Sequence, residues 1–221
     1  METFVIQKVS IVLQRIIMEP KDIILKGSLE LFMKYGIKSI TMDDISRSLG
    51  VSKKTIYLYY EDKDVLVCEC VKSFTNFQKS ILIKINEEAK DPVNELISLS
   101  EYMKSNVCNI NPSLLYDIKK YHPKAWGLFL DYRREFLEKS IRDTLNRGKA
   151  DGFFRSNLDS KIIARLRMET VEMAFNTEIF PLSEFETPKV QMEFFEHFIY
   201  GICTIKGHRL INKYKQIHEE D

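Results

Sequence analysis

The residues best suited to chemistry lie together between Gly50 and Asp64, in the run GVSKKTIYLYYEDKD. Ser52 is suited to cap a helix, which puts Lys53, Lys54 and Thr55 in its first turn and Tyr57 one turn later. A helix N-terminus with free N–H groups and two lysines attracts phosphate. A phenol on the same face can pack on a thymine methyl or donate to a phosphate. Tyr59 and Tyr60 fall at the helix end, where a hydroxyl reaches a DNA backbone or a ring fills a small core. Lys63 opens the next helix and can meet another phosphate. Val51, Ile56 and Leu58 are expected to face inward. This is the chemistry of groove contact, not of catalysis.

Charge alone does not carry the case. The chain's 221 residues have a net charge of +1. Between residues 19 and 64 eight basic side chains meet eight acidic ones, so what favours DNA is the placement of lysines on the reading helix. Enzymatic signals are absent. No phosphate loop, metal cluster or nucleophile-base pair occurs, and His122, His197, His208 and His218 are scattered. Cys68 and Cys70 stand two apart, the wrong spacing for a knuckle or redox pair; with Cys108 and Cys203 they read as small buried hydrophobes of a reducing compartment. No cofactor and no metal are expected. No apolar run reaches membrane-spanning length, so no membrane partner and a cytoplasmic location are expected.

The elements that position these residues are helical nearly throughout, with apolar residues three and four apart and no clean alternation. Pro20 precedes a periodic run that stops at Gly36. Thr41 and Asp44 form a capping-box pattern flanked by Ile40 and Ile45, and Gly50 ends that helix. Val51 and Ser52 repeat the device. Two short helices over 42–49 and 53–60, joined by a glycine-containing turn, are the sequence form of a helix-turn-helix. Asp62 caps a long helix to about Glu88. Asp91-Pro92, Asn111-Pro112 and His122-Pro123 open three more, the last running to about Lys149. Asn157 starts one that ends before Pro181, and Thr187-Pro188 opens a final helix that continues past Gly207. The expectation is an all-α chain of about nine helices. An extension fills 1–18, a three-helix DNA-binding domain 19–66, and a larger helical bundle for ligand binding and dimerisation 67–221. The extension has Val5, Val9, Val12, Leu13 and Ile16 at helical spacing, so it is either an added amphipathic helix or lies before a start at Met18.

The run from Ile24 to Cys70 resembles the N-terminal DNA-binding domain of the TetR family of bacterial transcriptional regulators. Its elements come in order: an apolar helix ending in Tyr-Gly, Ile-Thr before the second helix, Leu-Gly-Val-Ser, Thr-Ile-Tyr, and a lysine opening the fourth helix. The resemblance implies Thr41 on a phosphate. It implies Lys53, Lys54, Thr55 and Tyr57 at groove-reading positions, and Tyr59 and Lys63 at phosphate-binding ones. It further implies an all-helical homodimer on a palindromic operator of double-stranded DNA, with an inducer held in the C-terminal domain. The apolar stretch before Glu19 departs from the family's usual short arm.

A single reading helix buries too little surface to specify an operator, so a homodimer is also expected on physical grounds. The last helix places Val190, Phe194, Phe198 and Ile202 on one stripe, with Phe195 and Ile199 beside it. A helix apolar over more than half its circumference suits burial on two sides, which marks these six as the expected dimer contact. Trp126 and Phe129 could face Met168, Glu172 and Phe175 around a pocket for a small, largely apolar effector. Among Arg165, Arg167, Glu169 and Glu172, any one that turned inward would orient a polar group of that ligand. The resulting expectation is a ligand-responsive regulator, a repressor by preference. The alternative is a DNA-binding protein of the same fold that answers to a protein partner, or organises DNA without a small ligand; a cavity filled by side chains would favour it.

Overall fold

In the computed structural model, which describes residues 19–106 and 110–217, several helices start where a side chain satisfies free N–H groups, as Thr41, Ser52, Asp62, Asp159 and Thr204 do. The expected helix within 1–18 lies outside these residues, as do Cys108 and His218. Helix α1 (Pro20–Tyr35) carries Pro in its first turn and stops at Gly36, whose φ of +81° suits glycine. Its ψ of 158° takes Gly36 out of the left-handed helical well expected of a cap there. Helix α2 (Met42–Leu49) begins with the full capping box: the Asp44 N–H donates to the Thr41 hydroxyl and the Asp44 carboxylate accepts the Thr41 N–H. Gly50 sits in the left-handed region at φ +68° and turns the chain into α3 (Lys53–Tyr59). Ser52 caps α3 by accepting the Thr55 N–H at 3.0 Å. Asp62 caps α4 (Lys63–Glu88) in the same way.

The body is built from α5 (Pro92–Asn106), α6 (Ser113–Tyr121), α7 (Pro123–Tyr132), α8 (Glu138–Ala150), α9 (Ser160–Ala174), α10 (Thr187–Ile202) and α11 (Ile205–Lys215). One π-helical turn, Arg133–Leu137, joins α7 to α8. Among the described residues eleven α-helices therefore stand where nine were expected, for two reasons. The π turn splits the long helix over 123–150. The last helix breaks at Cys203, where Phe153 and Phe154 pair with residues 202–204 in an isolated antiparallel bridge. Thr204 then caps α11, and a Cβ on Gly207 would stand 2.3 Å from the Phe153 carbonyl oxygen. The start of α9 also moves from Asn157 to the cap Asp159, which accepts two N–H groups.

Two apolar cores result. The first joins α1–α4 to α6 and α7 through Ile24, Phe32, Ile45, Ile56, Leu66, Val67 and Ile118. The second joins α5 to α8–α11 through Val93, Leu145, Phe154, Phe195 and Ile199. Helix α7 lies along α4, and packing is continuous across residues 66 and 67. Among the described residues, no helix is long and apolar enough to cross a membrane.

Candidate nucleic-acid interface and interior cavity

Helix α3 is only two turns long, so its burial pattern decides what it presents. Ile56 is inside, while Lys53, Lys54, Tyr57 and Leu58 face solvent and Thr55 is half-buried. Tyr57 is 44% exposed and Leu58 76%. The expectation that Leu58 turns inward is thus corrected: position 58 lies one turn after Lys54, on the same outer face. The turn before α3 is braced by the Ser46 hydroxyl, which donates to the Val51 carbonyl at 2.7 Å. The Lys53 ammonium lies 2.8 Å from the Asp43 carboxylate, and this hydrogen-bonded partner raises its pKa. Thr41 is exposed at the start of α2, and its hydroxyl bonds the Asp44 carboxylate at 2.6 Å. That bond, with the Thr41 N–H, holds the Asp44 carboxyl below its usual range.

Tyr60 does not belong to this face. It is 1% exposed, its hydroxyl donates to the Lys21 carbonyl at 3.1 Å, and burial raises its pKa to about 12. The reason is positional: Tyr60 follows the last residue of α3 in an extended conformation, which turns it back under α1. Its assignment to DNA is corrected to a core role. Tyr59 is half-buried against the same core. The Lys63 ammonium donates to the Ile37 carbonyl at 2.6 Å and lies over the Phe32 ring, and burial lowers its pKa. Lys63 therefore ties α4 to the segment after α1, with its remaining N–H groups available to another acceptor.

Behind this unit, a cavity of about 240 Å³ lies between α4–α10. Phe129, Met168, Glu172 and Phe175 line it as expected. Trp126 does not, and that expectation is corrected: it packs on the first core, with the Lys119 ammonium 5.4 Å from its ring centroid. The walls are mainly aliphatic and aromatic, and the charged groups in them are mostly paired. Glu95 accepts from Thr144 at 2.8 Å and from Arg147. Arg133, placed by the π turn, bonds Glu172 at 2.6 Å and Glu169 at 3.0 Å. Arg167 is different. It is 6% exposed, its guanidinium stacks 4.8 Å from the Phe195 centroid, and among the described residues no carboxylate pairs with it. Burial lowers its pKa to about 10, which leaves it protonated at neutral pH. Arg133 and Glu95 had no local signal in the sequence, because their partners lie 36 to 52 residues away.

The six residues expected at a dimer contact are mostly occupied within the chain. Val190, Phe195, Ile199 and Ile202 are buried, the last three in the second core. Phe198 lines the cavity, and Phe194 packs edge-on against Phe180 at 5.5 Å. The outward apolar surface comes instead from α9 and the connection after it: Ile162, Leu166, Met173, Ile179, Leu182 and Phe185 are exposed.

A lysine- and tyrosine-bearing helix, set by a capped helix and a glycine turn on an all-α body, defines a helix-turn-helix DNA-binding protein. Residues 24–70 match the family described as bacterial regulatory proteins, tetR family. An uncharacterized HTH-type transcriptional regulator of Bacillus subtilis, YvaF, is 33% identical over 161 residues, 69% of this chain and 80% of its own. The HTH-type transcriptional repressor KstR2 of Mycolicibacterium smegmatis is 24% identical over 153 residues, 68% of this chain and 75% of its own. The same fold is seen in a TetR-family regulator from Agrobacterium tumefaciens, with a TM-score of 0.68 at 20% identity, over 83% of this chain and 97% of that one. The chain belongs to the TetR family of bacterial transcriptional regulators.

Proposed function

We propose that this regulator is a repressor released from a palindromic operator by a small molecule, and that it acts as a homodimer in the cytoplasm. The observation that carries the reading is the position of α6. Leu114 and Leu115 of this helix line the cavity, while Asp117 and Ile118 face the DNA-binding unit. A ligand that fills the cavity shifts the equilibrium between two placements of α6, and with it the end of α1. The open volume disfavours control by a protein partner alone, since the cavity is not filled by side chains.

On the DNA side, Lys53, Lys54, Thr55 and Tyr57 meet base edges and phosphates of the major groove, with Thr41 and Tyr59 on the flanking backbone. The Lys53–Asp43 pair is exposed on both sides and worth little by itself, so phosphate competes for Lys53 readily. Lys63 adds a phosphate contact with the N–H groups it does not give to Ile37. Leu58, beside Tyr57, adds apolar area that suits thymine methyls. The repressor assignment is supported by the KstR2 relative, whose name carries that role.

Dimerisation uses the outward faces of α9 and α10. Ile162, Leu166 and Met173 line α9, and α10 adds Lys189, Glu193, His197 and Gly201 at a four-residue spacing. A Cβ on Gly201 would meet nothing within 4 Å, which leaves room for a second backbone.

The test is a titration of the purified protein against the DNA upstream of its own gene, with scrambled duplex as control and salt varied. Tight, sequence-selective binding by a dimer is expected. Weak, salt-sensitive binding to both duplexes would instead place its operator elsewhere or make it a DNA-organising protein.

A further inference from the structure

Arg167 is a buried cation facing an apolar cavity, and among the described residues no carboxylate pairs with it. Its hydrogen-bond partners are weak ones: the Thr170 hydroxyl at 3.4 Å and the Met103 sulfur at 3.9 Å. The aromatic faces of Phe195 and Phe198 lie at 4.8 and 5.8 Å from it. Every other charged group of the cavity wall has a partner: Glu95 has Arg147, Arg133 has Glu169 and Glu172, and Glu172 also has Lys119. Removing a guanidinium from water costs several kcal/mol unless an anion or a full set of acceptors replaces the water. A stacked ring offsets only part of that. A site that keeps such a group at the edge of an apolar cavity, without a carboxylate of its own beside it, is suited to one negative charge.

We infer that the cavity takes an apolar monocarboxylate, with its carboxylate forked on the Arg167 guanidinium and its hydrocarbon body among Leu96, Leu99, Phe129, Leu137 and Phe175. This rests on the reading of the cavity as the effector site. The guanidinium presents parallel N–H groups that match the two oxygens of a carboxylate. One unpaired cation balances one negative charge, which favours a carboxylate over a phosphate monoester carrying nearly two at neutral pH. Arg133 does not compete for the ligand, because its guanidinium is held between two glutamates.

The experiment is calorimetric binding of decanoate, decanol and decyl phosphate to the full chain, to Arg167→Met and to Arg167→Lys. The methionine variant keeps an unbranched apolar stem and removes the unpaired charge, so it is expected to fold at least as stably. The native chain should bind decanoate about tenfold or more tighter than decanol, the scale of a charge-assisted hydrogen bond, and no more weakly than decyl phosphate. Arg167→Met should bind decanoate and decanol alike, with decanol affinity kept; Arg167→Lys should retain part of the preference. Equal binding of decanoate and decanol by the native chain would overturn the inference. So would an undiminished preference in Arg167→Met, no binding of decanoate, or tighter binding of decyl phosphate. Release of operator is scored separately. Decanoate that binds at Arg167 without releasing operator removes the effector role and leaves the ligand class. Decanol that releases operator as well as decanoate does the reverse.

Discussion

The buried carboxylate of Asp117, in the helix that walls the cavity, accepts the backbone N–H of Lys38 at 2.9 Å, in the turn that follows α1. Asn111, just before the same helix, bonds the carbonyls of Met33 and Lys34 through its backbone and side-chain N–H groups. One short helix thus grips the end of α1 while its leucines face the cavity. Asp117→Ala leaves the Lys38 N–H without this acceptor and should lower unfolding free energy by about 1–3 kcal/mol. It should also shrink the change in operator affinity that a cavity ligand produces. Denaturant titration and operator binding with and without decanoate measure the two effects. A variant with full ligand response would show that coupling runs through another contact.

Tyr57 and Leu58 are neighbours with different expected roles. Tyr57→Ala should weaken operator binding by about 1–3 kcal/mol, the range for a base-reading contact, with little change in stability. Leu58→Ala should leave stability within about 0.5 kcal/mol, because so exposed a side chain has little burial to lose. Had Leu58 been a core residue, the same change would cost about 2–5 kcal/mol. Thermal unfolding and operator titration on the two variants separate these outcomes.

Much of the DNA-binding unit was legible because its rules are local. Thr41, Ser52 and Asp62 cap the helices they precede, and Gly50 supplies the one left-handed residue that the turn requires. What failed were questions that only tertiary packing answers. Tyr59 and Tyr60 read alike, yet one extra residue past the helix end buries Tyr60. The apolar circumference of α10 announced burial on two sides without saying that the cavity and the second core would supply both. The break at Cys203 depends on Phe153 and Phe154, some 50 residues earlier. Arg165, Arg167, Glu169 and Glu172 share a segment, and nothing in their spacing marked Arg167 as the member left unpaired inside.

Tyr60 offers a clean contrast with Tyr57. Tyr60→Phe removes one hydrogen bond, to the Lys21 carbonyl, and keeps the ring. It should cost about 0.5–1.5 kcal/mol of stability. Operator affinity, measured well below the melting temperature, should not change. A loss of affinity with unchanged stability would return Tyr60 to the DNA face.

The dimer contact proposed on α9 is open to a single charge. Leu166 is 56% exposed in the chain alone, between Ile162 and Met173 on the outer stripe of α9. Burying a leucine against a partner contributes about 1.5–3 kcal/mol per chain, and an arginine there would carry an unpaired charge into the contact on both sides of the two-fold axis. Leu166→Arg should therefore give a folded monomer in sedimentation equilibrium, since the native side chain supports no core of its own chain. Operator binding should fall toward the weak, salt-dependent level of non-specific contact, because one reading helix no longer brings its pair. Phe195→Ala tests the same point from inside. It should cost about 3–5 kcal/mol of chain stability through the cavity it leaves. A dimer in Leu166→Arg, together with a stable monomer in Phe195→Ala, would move the contact from α9 to the apolar stripe of α10.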